Sequence, residues 1–340
     1  MQREITTPGS LLDARGRLRS RGWARQPLLD ANLEVLPRWR AALRLKRWDY
    51  YGIWTPDLYV SATVSHVGYV GLVFNYVIDR RSGQQADHTV ALPLGRGVSL
   101  PRNSDSGDVH YTGRQIDSHF TLENGVRHLR VDDTAFDGGR GLHIDATLAC
   151  PPAHESIVVC TPMQGDCFFY NRKINCMRAT GSIRWGDRRL ALSPSDALGQ
   201  LDWGRGVWPY WTNWIWASAN GFLPDGRTIG LNLGNGFGDL LFATENAVIV
   251  DGRLHKLGPL RIELDRHNYH QPWRFTDEEG LAELTFTPTI ERLTKSNVGI
   301  LSTEVHQMFG HYHGRVVSDD GEIIALRELP GFAEEQRARW

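Results

Sequence analysis

The sequence has no long apolar run and no excess of charge of either sign, and each absence excludes a class of protein. The longest nearly apolar stretch, residues 67–78, is too short to span a bilayer and is interrupted by Gly68, Gly71 and Asn75. A net charge of −1 gives no basic surface for nucleic acid. Residues 1–16, MQREITTPGSLLDARG, lack the apolar segment of a secretory signal. We therefore expect a cytoplasmic protein without a transmembrane segment.

Cysteine pairs and the common cofactor motifs are also missing. The four cysteines, Cys150, Cys160, Cys167 and Cys176, include no C-x-x-C pair, which favours free thiols over a zinc site or disulfides. The motifs G-x-S-x-G, Walker A, G-x-G-x-x-G and H-E-x-x-H are absent, so the common hydrolase, nucleotide-binding and zinc-protease functions lose support. We predict a protein that uses neither a metal nor a cofactor.

The chain does contain a long series of strand-like segments. From Trp48 onward, apolar or alternating runs rich in β-branched and aromatic residues recur about every 8–12 residues, which is typical of hairpin-connected antiparallel sheets. Several Asp-Gly pairs, such as Asp225-Gly226, provide the positive φ that tight hairpins require. Helical periodicity is limited to residues 28–46 and 332–340, and β–α–β alternation is absent. An all-β fold with few short helices follows.

Length and strand number predict two domains. At 340 residues, the chain exceeds the size at which a single core usually stops growing. About sixteen short strands would fill two closed antiparallel barrels, and closure removes exposed sheet edges. We predict an irregular segment over residues 1–47 that packs on the barrels, a first barrel over 48–195 and a second over 196–340. One large β domain is the alternative.

Five of the twelve tryptophans lie within residues 201–216. Trp214 and Trp216 share a face if this segment is a strand, and a turn at the intervening glycine would let Asp202 meet Arg205. In one interpretation this is a pocket wall, where indole faces stabilise a carbocation and a carboxylic acid with a raised pKa protonates an alkene. In the other, the Asp–Arg pair is a structural salt bridge and the indoles are core.

Across nearly its whole length, the sequence resembles the family called domain of unknown function 2804. The resembling stretches are residues 4–6, 11–13, 22–25, 46–51, 201–209, 230–234, 244–247 and 306–310. More distantly, the second half is similar to the carotenoid 1,2-hydratase (hydroxyneurosporene synthase) and AttH-like group, in the D-x-x-x-G, W-x-W and D-G-x-x-(I/L) motifs at residues 202–206, 214–216 and 225–229. This resemblance implies tandem lipocalin-like (calycin) barrels, with members that act as hydratases, cyclases or pericyclic catalysts on apolar substrates.

We therefore predict a cofactor-independent enzyme that acts on an apolar, unsaturated or isoprenoid-like small molecule by acid-catalysed hydration, isomerisation or cyclisation. Asp202 is the expected proton donor, and Arg205 and Tyr210 are expected to orient the substrate. The other candidates are ligand contacts, several of them aromatic and able to line an apolar pocket. They are Trp48, Tyr50, Trp203, Trp208, Trp211, Trp214, Trp216, Asn232 and His306.

Three alternatives qualify this interpretation. A lipid carrier would use the same hollow barrel without chemistry, because apolar burial alone supplies affinity. A structural or interaction module has least support, since it has little reason to concentrate Trp and Asp at one junction. His306, His311 and His313 form H-x₄-H-x-H, but His306 has the opposite strand parity, so a metal site would need a bulge at Gly310.

Overall fold

The computed structural model describes residues 2–340. Its two α-helices are α1 (Arg38–Arg44) and the single turn α2 (Phe136–Gly139), and Leu33–Val35 form a 3₁₀ turn. All other regular structure in this range is β. The strands are, in chain order, β1 (Gly9–Ser10), β2 (Gly22–Ala24), β3 (Leu29–Asp30), β4 (Leu45–Trp54), β5 (Leu58–His66), β6 (Val70–Asp79), β7 (Gln85–Pro93), β8 (Val109–Thr112), β9 (Ile116–Glu123), β10 (Val126–Asp133), β11 (Leu142–Ala149), β12 (Ile157–Pro162), β13 (Phe168–Trp185), β14 (Arg188–Leu192), β15 (Leu198–Val207), β16 (Trp211–Phe222), β17 (Thr228–Asn235), β18 (Ala247–Val250), β19 (Arg253–Lys256), β20 (Leu260–Glu263), β21 (Trp273–Asp277), β22 (Ala282–Val298), β23 (Leu301–Val317) and β24 (Ile323–Arg339).

These strands form two successive antiparallel sheets. The first has the order β7-β6-β5-β4-β15-β13-β11-β10-β9-β8, with β12, β14 and β2 paired alongside. The second has the order β19-β18-β17-β16-β24-β23-β22-β21-β20. Each sheet curls into a half-barrel, so the predicted all-β, tandem lipocalin-like fold is confirmed. The short strands β1 and β3 pair in parallel with each other outside both sheets.

The enclosed face of each half-barrel is filled by side chains. Tyr51, Phe120 and other residues from most strands of the first sheet form the core of the first, while Trp273, Phe286 and Tyr312 lie in the core of the second. Side chains that pack in this way fill the interior rather than line a void. A hollow barrel interior that holds a ligand is not confirmed.

The two sheets contact each other through the faces opposite these cores. Because side chains alternate along a strand, β15 sends Asp202 to the contact and Trp203 into the first core, and β16 sends Trp214 and Trp216 to the contact. We call the side chains between the sheets the inter-sheet layer. It contains two aromatic clusters, and Trp48 and Trp214 touch both of them.

Two local expectations differ from the structure. Strand β15 pairs with β4 and β13, so the first sheet extends to Val207, one strand beyond the predicted boundary at residues 195 and 196. The tail predicted to be helical, residues 332–340, is instead the end of β24 and pairs with β16 and β23 on either side.

Within residues 2–340, no helix has both the length and the apolarity needed to cross a membrane.

Candidate functional site

Four charged side chains, three of them buried and Glu245 partly buried, lie in the inter-sheet layer among its aromatic rings. They come from both sheets: Lys173 on β13 and Asp202 on β15, Glu334 on β24, and Glu245 on the connection before β18. We call these four residues the central charged cluster. Buried charges require partners to offset their loss of hydration, and the partners determine which of the four can take part in chemistry.

Lys173 and Asp202 form the closest ion pair of the cluster. The two residues lie opposite each other in the β13–β15 ladder, and Lys173 Nζ is 2.8 Å from Asp202 Oδ2. Asn171 Nδ2 donates to the other carboxylate oxygen at 2.7 Å. The ammonium also lies 3.7 Å from the ring centroid of Trp216, a cation–π contact. Both carboxylate oxygens of Asp202 are thus engaged within the protein.

Among residues 2–340, none places a cation within salt-bridge distance of Glu334, although it lies in the same layer. Burial raises the pKa of its carboxyl group to about 7, and the negative charge of Asp202 acts in the same direction. Trp214 Nε1 donates to Oε1 at 3.3 Å, and Gln307 Nε2 donates to Oε2 at 3.0 Å. A carboxyl group with this pKa is partly protonated at neutral pH, which suits a general acid.

A chain of tyrosines fixes the orientation of Gln307. Tyr76 donates its hydroxyl proton to Gln307 Oε1 at 3.0 Å, so the amide nitrogen faces Glu334. Tyr50 and Tyr76 are joined by a 2.7 Å hydrogen bond, and Tyr50 also bonds to Tyr59. Burial raises the pKa of all three phenols, so they remain neutral.

Glu245 is the fourth member of the central charged cluster, and its carboxylate has the fewest hydrogen-bond partners. Its Oε2 lies 3.7 Å from Lys173 Nζ and makes no hydrogen bond within the described residues. Burial raises the pKa of this carboxyl group, and Lys173 opposes the rise. The carboxylate lies over Gly234, where a Cβ would come within 2.3 Å of Oε1. Asn232 Nδ2 donates to the main-chain oxygen of Glu245 at 2.8 Å, and Trp216 Nε1 donates to Asn232 Oδ1 at 2.9 Å.

The predicted residues divide between the inter-sheet layer and other parts of the molecule. Six more of them accompany Asp202 in the layer, although the layer is not a barrel interior. Those six are Trp48, Tyr50, Trp208, Trp214, Trp216 and Asn232.

Arg205 and Trp203 lie on the other face of β15. Arg205 Nη2 is 3.0 Å from Asp49 Oδ1, and its guanidinium carbon is 4.4 Å from the Trp203 ring centroid. The expected Asp202–Arg205 contact is wrong, because the strand stays extended through Gly204 and residues three apart point to opposite faces.

Tyr210, Trp211 and His306 also lie away from the central charged cluster. Tyr210 donates its hydroxyl proton to the main-chain oxygen of Ile300, and Trp211 is 68% exposed. His306 Nδ1 is 2.6 Å from Glu291 Oε1, and its ring stacks on Tyr269 with centroids 4.1 Å apart. In residues 2–340, no group of His, Cys, Asp and Glu has an arrangement that would hold a metal ion.

Lys173, Glu245, Gln307 and Glu334 were not among the predicted site residues. Each lies in a run of consecutive polar residues, such as Asn171-Arg172-Lys173 in β13 and Glu334-Glu335-Gln336-Arg337 in β24. Such runs give no hydropathy pattern that marks one face of the strand as buried. They also do not show that a face is covered by a second sheet.

The fold and this layer define a tandem lipocalin-like β protein with buried acids between its sheets. The model of the family described as Domain of unknown function (DUF2804) matches residues 2–340, so the chain belongs to that family. A comparison with curated proteins gives no match.

Several solved structures are similar to this chain at low sequence identity. CghA with Sch210972 is 10% identical, with 88% of this chain and 89% of that chain covered and a TM-score of 0.52. Kievitone hydratase from Nectria haematococca is 10% identical (90% and 93% covered, TM-score 0.49). An AttH-type protein from Nitrosomonas europaea is 15% identical (86% and 92% covered, TM-score 0.46). The likeness to CghA supports the shared fold and nothing further.

Proposed function

We propose that this protein is an enzyme that protonates an apolar, unsaturated small molecule between its two sheets, with Glu334 as the general acid. The observation that carries the proposal is a carboxyl group buried among aromatic rings, with a pKa raised to about 7 and two fixed hydrogen-bond donors. Since a shared fold does not determine a reaction, the proposal rests on the chemistry of this site.

The reaction begins with proton transfer from Glu334 to one carbon of a substrate alkene. A C–H bond forms as the π bond breaks, which leaves a carbocation on the substrate and a carboxylate on Glu334. The N–H groups of Trp214 and Gln307 stabilise that carboxylate, and nearby indole faces stabilise the cation.

Three reactions of the carbocation can follow, and each of them returns a proton to Glu334. Water adds to the cation and returns a proton to Glu334, which gives hydration. Alternatively, a neighbouring C–H bond loses its proton to the Glu334 carboxylate, which gives isomerisation. Attack by a second alkene of the same substrate, followed by the same proton loss, gives cyclisation.

Asp202 takes a different role from the one its sequence context predicts. Its carboxylate is engaged by Lys173 and Asn171, so it is poorly placed to release a proton to a substrate. We assign it as a positioning residue that holds Lys173 in place and raises the pKa of Glu334 through its negative charge. Glu334 therefore replaces Asp202 as the proposed proton donor.

Solvent deuterium provides a test that does not depend on the identity of the natural substrate. The protein is incubated in D₂O with geraniol, farnesol or lycopene, and mass spectrometry and NMR follow deuterium at alkene carbons. We expect Glu334→Gln to reduce incorporation by about 10²–10⁴-fold. The wild-type rate should fall as the pH rises above about 7, because the acid form is required.

Glu335→Gln is the matched control. Glu335 is adjacent to Glu334 but on the opposite face of β24, where it bonds to Arg266 and Tyr269. Incorporation by this variant should equal that of the wild type. If Glu334→Gln also exchanged at the wild-type rate, Glu334 would not be the acid. Alkene binding without any deuterium incorporation would favour the lipid-carrier alternative.

A further inference from the structure

The connection between β17 and β18 places one aromatic ring inside the inter-sheet layer. Phe237 lies between two glycines of positive φ, Gly236 at +85° and Gly238 at +81°. Its ring packs edge-on against three other aromatic rings. The centroid distances are 4.7 Å to Phe169, 4.8 Å to Trp208 and 5.0 Å to Trp214. Edge-on packing of this kind is favourable for any planar ring, not only for phenylalanine.

Phe237 also lines two voids. One is a cavity of about 10 Å³, lined by Phe169 and Glu245 among others, which we call the inner cavity. The other is a groove of about 150 Å³, lined by Met163 and Trp211 among others. The inner cavity alone holds about one water molecule. Because Phe237 belongs to the lining of both voids, movement of its ring would enlarge the space available there.

Hydrogen bonds hold the chain on both sides of residues 236–238 but not within that segment. Asn235 Nδ2 donates to the main-chain oxygen of Leu260 at 2.9 Å, and the Asp239 N–H donates to the oxygen of Pro162 at 2.9 Å. Among the described residues, none bonds to the main chain of residues 236–238. Two glycines between fixed ends allow this short segment to change its dihedral angles at low cost.

Glu245, one of the residues that line the inner cavity, carries an acceptor without a hydrogen-bond donor. Among residues 2–340, none donates a hydrogen bond to Glu245 Oε2, and Lys173 Nζ lies 3.7 Å from it. A buried carboxylate oxygen left in this condition costs free energy that a ligand hydroxyl group would recover.

We propose that Phe237 occupies a binding subsite for a planar apolar ring that carries a hydrogen-bond donor. The ligand ring replaces the Phe237 ring against Phe169, Trp208 and Trp214, and its hydroxyl group donates to Glu245 Oε2. Trp214 also donates to Glu334, so the subsite adjoins the proposed acid, and its role in substrate selection rests on the proposed function. The ring exchange itself needs no catalysis.

Equilibrium dialysis with 2-naphthol and its methyl ether, 2-methoxynaphthalene, tests this proposal. The two probes share one ring system, but only 2-naphthol has a donor. We expect the wild type to bind 2-naphthol more tightly than the ether, and Phe237→Ala to bind 2-naphthol at least 10-fold more tightly than the wild type, because the competing ring is gone. Leu241→Ala is the matched control, since Leu241 lies in the same connection but is 83% exposed, and it should bind like the wild type.

Glu245→Met in the Phe237→Ala background removes the acceptor at similar side-chain length. We expect the preference for 2-naphthol over the ether to disappear in this double variant. Should Phe237→Ala fail to fold, Phe237→Leu should give a smaller gain of affinity in the same direction. Equal 2-naphthol affinity of the wild type and the Phe237 variant would overturn the proposal, as would a preference that survives Glu245→Met.

The two proposals fail separately. Tight, Glu245-dependent binding of 2-naphthol by a protein that shows no deuterium incorporation would refute only the acid role of Glu334. The opposite result would refute only the subsite: deuterium incorporation depends on Glu334, but the affinity for 2-naphthol is the same with and without the Phe237 ring.

Discussion

Glu334 shows how one buried side chain links chemistry to stability. The same burial that raises its pKa makes it an acid near neutral pH and makes its ionised form costly in the folded protein. The folded chain therefore holds a proton at pH values where the unfolded chain has released it. This difference predicts the sign of a pH effect on folding.

Wild-type stability should fall as the pH rises from about 4.5 to above 7, relative to that of Glu334→Gln. The pKa of Glu334 is 4.5 in the unfolded chain and about 7 in the folded protein. The resulting contribution to the free energy of unfolding is fully present below pH 4.5 and is lost as the pH rises through the folded pKa. The whole loss is about 3 kcal/mol. Urea unfolding of both proteins at pH 4.5 and pH 8 measures this. The same pH dependence in both would contradict the assignment.

The ion pair of Lys173 and Asp202 leads to a second prediction. Lys173→Met leaves a buried carboxylate without its cation, so we expect a loss of about 3–5 kcal/mol in the free energy of unfolding. Asp202→Asn should lose less, because the ammonium keeps Glu245 Oε2 as a partner at 3.7 Å. The double variant should recover most of the loss, and urea denaturation gives the coupling free energy.

Arg17→Met provides the control for that cycle. Arg17 pairs with Asp13 at 3.2 Å, but the two side chains are 54% and 34% exposed. Exposed pairs contribute about 0–1 kcal/mol. Additive effects of the Lys173 and Asp202 substitutions would mean that the buried pair is not coupled.

Asp202 illustrates what sequence reasoning can find about a single residue. Its position beside a dense group of tryptophans identified it as part of a polar site within aromatic surroundings. Its expected partner was wrong, because a turn at Gly204 was needed to bring Arg205 to the same face, and β15 has no such turn. The true partner, Lys173, lies 29 positions earlier in the chain and meets Asp202 only through strand pairing.

At the scale of elements, a tryptophan of β4 packs directly on a glycine of β15. Gly204 lies opposite Trp48 in the ladder, and a Cβ on Gly204 would come within 1.9 Å of Trp48 Cζ2. The indole thus lies flat over the neighbouring strand, in contact with both aromatic clusters of the inter-sheet layer. No other residue type fits at that position without moving the ring.

Gly204→Ala should therefore destabilise the protein by about 1–3 kcal/mol through displacement of Trp48. We expect a lower midpoint in urea and an altered near-ultraviolet circular dichroism spectrum, which reports the packing of aromatic rings. Gly9→Ala is the control, since its nearest contact would be an ordinary 3.9 Å. If Gly204→Ala left both measurements at wild-type values, the proposed fit of Trp48 to β15 would be incorrect.

Strand β24 explains why Glu334 was overlooked. Residues 332–340, FAEEQRARW, are rich in good helix formers, and local propensity alone favours a helix there. In the structure, pairing with β16 and β23 on both sides overrides that propensity. Glu334 then faces the inter-sheet layer while Glu335 faces away, a distinction that a helical assignment cannot make.

On the scale of the whole molecule, the strand count and turn signals were sufficient to predict an all-β tandem fold. They could not predict where the site lies, because alternation defines two faces for each strand without saying what covers them. Both half-barrels use one face for an apolar core and the other for mutual contact. Seven of the residues that suggested a hollow barrel, Asp202 among them, instead belong to the contact between the sheets.

This arrangement predicts that the two half-barrels fold as one unit. Buried polar bonds cross between the sheets, including Asn175 Nδ2 to Ser218 Oγ at 3.0 Å and Asn220 Nδ2 to Gln200 Oε1 at 2.7 Å. Separation would expose the aromatic clusters and leave these groups unpaired. We expect a single calorimetric transition with equal calorimetric and van't Hoff enthalpies.

Expression of residues 1–209 and 210–340 as separate chains should extend this result. Each fragment exposes its half of the inter-sheet layer, so each should bind the dye ANS or aggregate, and mixing them during refolding should restore the native circular dichroism spectrum. The reason is that neither sheet can cover its aromatic face alone. Two resolved calorimetric transitions, or a fragment that stays monomeric and does not bind ANS, would show instead that each half-barrel is stable without the other.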